Sequence, residues 1–63
     1  MEENVKQAMQ IILHERMKTK AKLEFFRFLE EADIKKSYQR EINECLDRIR
    51  GLDEIYEKLK NGN

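Results

Sequence analysis

The stretch YQREINECLDRIRGLDEIYEKL, residues 38–59, decides the fold. Its apolar members Tyr38, Ile42, Cys45, Ile49, Leu52, Tyr56 and Leu59 are spaced 4, 3, 4, 3, 4, 3. Spacing of that kind, sustained over three heptads, lays a seam along one side of an α-helix, with Tyr38, Cys45, Leu52 and Leu59 at d and Ile42, Ile49 and Tyr56 at a. Ile34, Leu46 and Ile55 fall on the flanks of the seam, and nearly every other position is charged or amide. One side of this helix is made to be covered and the other to be solvated.

A matching seam runs through the first half: Val5, Met9, Ile12, Arg16, Thr19, Leu23 and Phe26. Folding the chain back at residues 31–34 opposes Val5 with Leu59, Met9 with Tyr56, Ile12 with Leu52, Arg16 with Ile49, Thr19 with Cys45, Leu23 with Ile42 and Phe26 with Tyr38. Residue numbers in each pair sum to 64 or 65, so the two seams stay matched along seven rungs. That match is what an antiparallel helical hairpin requires. Two members of the first seam are polar. Arg16 and Thr19 could set register at one core level, or Arg16 could run along its own stem to solvent.

The composition agrees with helices throughout. The chain has no Pro and two Gly, and the rest is rich in helix formers. We expect one all-α domain over residues 1–63: a coiled-coil-like, antiparallel two-helix hairpin with helices over 3–31 and 34–60 and a turn at 31–34. Asp33 is placed to cap a second helix beginning at Ile34, with Ser37 as a competing cap. Without a glycine at the turn, one continuous helix of about 55 residues, roughly 80 Å long, is the alternative. Gly51 either sits within a continuous helix or marks a break after which Asp53 caps a short third helix. Lys60-Asn61-Gly62-Asn63 has the form of a helix C-terminus.

Helix one carries more apolar residues than its seam uses. Leu13, Met17, Ala21, Phe25, Phe28 and Ala32 form a second stripe, on the side away from Leu23 and Val5, with Ile11 and Leu29 at its border. One partner helix can cover only one of the two stripes. The hairpin could use the Met17–Phe28 stripe as core near the turn and leave Leu23 and Phe26 outward. Whichever stripe is left over forms an apolar patch typical of an interaction surface. Small size points the same way, because a domain below about 70–80 residues rarely draws more than about 3–5 kcal/mol from its own core. The expectation is self-association, with a dimer forming a four-helix bundle, or docking of a different protein. The interface would comprise Leu13, Met17, Ala21, Phe25, Phe28 and Leu29, with Arg27, Glu30 and Glu31 as a polar rim.

Charge and chemistry exclude several other classes. The 13 basic and 13 acidic residues cancel, which argues against holding nucleic acid or anionic lipid by bulk attraction. A net +3 over residues 14–27 would lie beside a net −3 over residues 41–54 in the hairpin, so each block satisfies the other. A dimeric hairpin binding RNA or DNA through Arg16, Lys20 and Arg27 is the alternative function. No apolar run approaches a membrane span, no N-terminal stretch is long enough for a secretory leader, and a lone Cys makes no internal disulfide, so a cytoplasmic location is expected. Lys, Asn and Ile usage has the character of low-GC bacteria and their mobile elements.

Catalysis is poorly supplied. His14 is the single histidine, and Thr19 and Ser37 are the only aliphatic hydroxyls. The hairpin separates His14 from Ser37 by most of a helix and from Cys45 by more than a turn, so neither a nucleophile–base pair nor a Cys–His metal site is expected. Glu41 and Glu44 lack the accompanying His of a di-metal bundle. No Gly-rich loop is present to cradle phosphate. Cys45 is expected in the core and His14 on the surface. The sequence thus predicts a small non-enzymatic regulator, adaptor or inhibitor, without cofactor or metal, that self-associates or masks a surface of a larger protein.

Overall fold

A computed structural model describes residues 2–33 and 36–62. Two helices account for most of them: α1, Glu3–Ala32, and α2, Gln39–Lys60. They run antiparallel: Glu15 of α1 meets Arg48 within α2, whereas Phe26, later in α1, meets Tyr38 just ahead of the start of α2. No strand occurs among the described residues.

The register follows the matched seams. Leu23, Ile42 and Cys45 are 5–6% exposed and form the core, with Thr19 buried beside them. Phe26, Tyr38 and Ile49 close over this cluster. Val5, Met9 and Ile12 of α1 and Leu52, Tyr56 and Leu59 of α2 are half-buried, so the seam continues to the open end but loosens there. Thr19 is tolerated at a core level because its hydroxyl donates to the Glu15 carbonyl at 2.8 Å, one turn back, and no buried side-chain N or O atom among the described residues lacks a partner. Arg16 takes the outward course, its Nε reaching Asp53 Oδ1 at 2.7 Å.

Three expectations for the connection need correction. The chain does not continue as one helix: Asp33 leaves helical geometry (φ −138°, ψ 93°) and ends α1, its N–H donating to the Leu29 carbonyl. Asp33 therefore terminates the first helix instead of capping a second. The expected start at Ile34 lies outside the described residues, but Lys36–Tyr38 are non-helical and α2 begins at Gln39. The cause is tertiary. The Tyr38 ring stacks on Phe26 with centroids 5.7 Å apart, and the Tyr38 N–H donates to Glu30 Oε2 at 2.8 Å. Both contacts hold Tyr38 at the point of helix entry. Ser37, the competing cap, accepts the Gln39 N–H at 3.3 Å.

The Glu30 contact is a charge-assisted hydrogen bond from a half-buried position, the kind worth more than a neutral one. Glu30→Ala is expected to destabilise the hairpin by about 1–2 kcal/mol and Glu30→Gln by less, because the amide keeps an acceptor oxygen. Denaturant midpoints at unchanged m would read the difference; equal, negligible shifts in both variants would show that the connection is held by the ring stack alone.

α2 passes through Gly51 without a break, so there is no third helix there and Asp53 is a mid-helix residue paired to Arg16. A Cβ built on Gly51 meets nothing within 4 Å. Gly51→Ala should therefore gain about 1 kcal/mol of helix propensity, raising the melting temperature by about 4–8 °C. A fall instead would place a partner chain against this position. At the C-terminus, Gly62 adopts φ 78°, and the Gly62 N–H returns to the Leu59 carbonyl as a helix-ending glycine does.

Candidate functional site

Of the two stripes on α1, the hairpin buries the one through Leu23 and leaves the other open. The alternative core through Met17 and Phe28 is not adopted: Met17 is 70% exposed, Ile11 64%, Phe28 62%, Phe25 57% and Leu13 43%. Geometry explains the choice. At 100° per residue, the stripe centres about 150° round α1 from the seam, so α2 cannot touch both. A further reason lies at the connection, where Phe26 finds Tyr38 and brings its own side of the helix inward.

The expected interface residues occupy this outer face unevenly. Leu13, Met17, Ala21, Phe25 and Phe28 are exposed, while Leu29 at the border is half-buried. Phe25 is braced from behind by Phe26, the two rings lying 6.0 Å apart and tilted by 57°. Such bracing limits the freedom of Phe25 and lowers the entropy lost when a partner covers it. Arg27 and Glu31 of the expected rim are exposed. Glu30 is not free for that role, because its carboxylate is turned to Tyr38. The periodicity could not have shown this, since Glu30 acts across the connection on a backbone N–H eight residues away.

Charged side chains border the other sides. Arg16–Asp53 joins basic α1 to acidic α2, as the charge blocks predict. The second cross-helix pair runs in the opposite sense, from Glu15 of α1 to Arg48 of α2 at 3.6 Å. Glu15 also receives Lys18 at 3.4 Å, and Lys18 foremost, then Arg48, holds the Glu15 carboxyl below the usual carboxylate range. Arg40–Glu44 and Arg50–Asp47 are pairs within α2. All of these are exposed, and each is worth only about 0.2–1 kcal/mol. They shape register and solubility more than stability.

The residues proposed for nucleic acid are divided in their engagement: Arg16 is bonded to Asp53, whereas Lys20 and Arg27 stand exposed on α1. Cys45 lies in the core and His14 on the surface. Among the described residues, no group of three or more His, Cys, Asp or Glu side chains could hold a metal ion, and no helix is long and apolar enough to cross a membrane. A groove of about 360 Å³ runs beside the seam between Glu15, Lys22, Glu44 and Arg48, but its walls carry mixed charge. No protein-family model, curated protein or solved structure matches the chain.

Proposed function

We propose that this chain is a non-enzymatic interaction module that acts by covering a protein surface with the outer face of α1. As a regulator, adaptor or inhibitor it would work stoichiometrically, masking its target and not transforming it. The observation that carries this is the exposure of Met17, Phe25 and Phe28 on the side of α1 that α2 cannot reach. Large aromatic and methionine side chains held in water on a well-formed helix are the usual anchors of helix-mediated recognition. Support also comes from the size of the core, which buries only three apolar side chains among the described residues. A hairpin with so little interior gains from any contact that covers a second stripe.

Self-association through this face would make a four-helix assembly, and a different protein docking there would use the same anchors. Sedimentation equilibrium over a concentration series separates the two. A dimer at micromolar concentration assigns the face to a second copy of the chain. A fully helical monomer assigns it to another protein. A dimer that survives polar substitution of Phe28 overturns the proposal, because the contact would then lie elsewhere.

A further inference from the structure

We infer that the outer face of α1 takes an acidic amphipathic helix of another protein; this rests on the reading of that face as an interface and names the chemistry of its partner. Between Met17 and Phe28 the helix carries Lys18, Lys20, Lys22 and Arg27 against a single acid, Glu24. At 100° per residue, Lys18 and Lys22 stand on one side of the ridge Met17, Ala21, Phe25, and Lys20 and Arg27 on the other. Basic side chains thus bracket the exposed apolar row on both sides. The chain's own acids leave most of them unmatched. Arg16 is the member of the basic block that reaches α2, through Asp53, and Lys18 turns to Glu15 of its own helix. Lys20, Lys22 and Arg27 are exposed and enter no ion pair among the described residues. Net charge over the chain is zero, yet this apolar face is locally positive.

An apolar row edged by unpaired cations is complementary to its opposite, a helix whose apolar stripe is edged by Asp or Glu. The partner is helical because a helix ridge packs into the groove of another helix and offers no free backbone donors to an extended strand. From Met17 to Phe28 the ridge runs about 16 Å, or three turns. A contact of that size belongs to the weak, transient class, in which charge contributes much of the selectivity. A second copy would bring the basic flanks together, so self-association is the weaker use of the same face. Phosphate-bearing surfaces fit less well. Glu24 stands between Lys20 and the ridge; a single helix can set a neutral or basic residue opposite it, whereas a uniformly anionic surface cannot. Glu24 and Lys18, each about 60° from Ala21 round the helix, also leave an apolar arc too narrow to sink into a bilayer. Nucleic acid would leave Met17 and Phe28 uncovered.

The test is fluorescence anisotropy with two labelled helical peptides of about four turns. Both carry leucine at every a and d position; one has glutamate and the other lysine at every e and g position. The glutamate peptide should bind the full chain with a Kd on the order of 10–100 μM in about 50 mM salt, at least 10-fold tighter than its lysine twin, and weaken as salt rises. Lys20→Glu combined with Lys22→Glu should cost at least 10-fold at unchanged helicity. Glu24→Lys should tighten binding several-fold, a gain that no loss of folding can imitate. Equal affinity for the two peptides would overturn the acidic partner while leaving the face an interface. Glutamate-peptide binding that survives Phe28→Asp would place the contact elsewhere and overturn the inference. So would the absence of binding at 500 μM, with the sedimentation series then deciding whether the face is used at all. Tighter binding to 3:1 phosphatidylcholine–phosphatidylglycerol vesicles, or to single-stranded oligo-dT, lost in the Lys20/Lys22 variant, would assign the basic flanks to lipid or nucleic acid and overturn it as well.

Discussion

Truncation of Leu23 to alanine is expected to lower the melting temperature by on the order of 10–30 °C and to remove most helicity near physiological temperature. Leu23 is 5% exposed and packs between Ile42 and Cys45 in the centre of the hairpin. A buried Leu→Ala change costs about 2–5 kcal/mol, in lost transfer free energy and in the cavity left behind. The whole core of so small a domain supplies about 3–5 kcal/mol, so this one truncation takes most of it. Each kcal/mol moves the melting temperature of a domain this size by about 4–8 °C. Thermal melts by circular dichroism, at fixed protein concentration because any dimer makes the midpoint concentration-dependent, would read the change. A midpoint moved by less than about 3 °C would mean that the Leu23 seam is not the core in solution and that Met17 and Phe28 have taken its place.

Phe28→Asp has the complementary expectation: association weakens by on the order of 100-fold or more, while the helices of the isolated hairpin persist. Phe28 is 62% exposed and belongs to no core contact, so its removal costs the monomer little. In an interface, covering a phenylalanine is worth about 1.5–3 kcal/mol, and a symmetric dimer counts it twice. Placing a carboxylate in that apolar contact adds the penalty of a desolvated charge. At 1.4 kcal/mol per tenfold, two such losses exceed two decades in the dissociation constant. Sedimentation equilibrium of variant and parent gives the constants directly. Unchanged association with full helicity would remove the outer face of α1 from consideration as an interface.

Leu23→Ala and Phe28→Asp probe the two stripes of one helix, and their contrast shows what one-dimensional spacing carries. The 4, 3 periodicity of residues 38–59 and its reversed counterpart over 5–26 were enough to place Thr19 with Cys45, Leu23 with Ile42 and Phe26 with Tyr38. Thr19, Leu23, Ile42 and Cys45 are all buried and the Phe26 and Tyr38 rings stack, in keeping with those rungs, because helical period and antiparallel register are both properties of spacing. The surplus stripe was equally legible, since 100° per residue separates Met17 and Phe28 from Leu23 whatever the hairpin does.

Other features arise only when the helices meet. Two stripes on α1 were each apolar enough to be core, and the choice between them was made by α2, which offers one seam and a Tyr38 ring to receive Phe26. Local capping by Asp33 favours a start of α2 at Ile34, whereas a carboxylate from Glu30 and the Phe26 ring hold Tyr38 at the helix entry and α2 begins at Gln39. Gly51 carries a helix-breaking preference of about 1 kcal/mol, and the seam residues on either side of it outweigh that preference. Ion pairs were the least legible, because long side chains choose partners by reach: Arg16 bypasses its opposed Ile49 for Asp53. By itself the sequence determined two helices, their register and an unspent apolar face. Tertiary contact decided which face is spent, where the second helix starts and which charges meet, since those depend on distances across the hairpin that no local preference encodes.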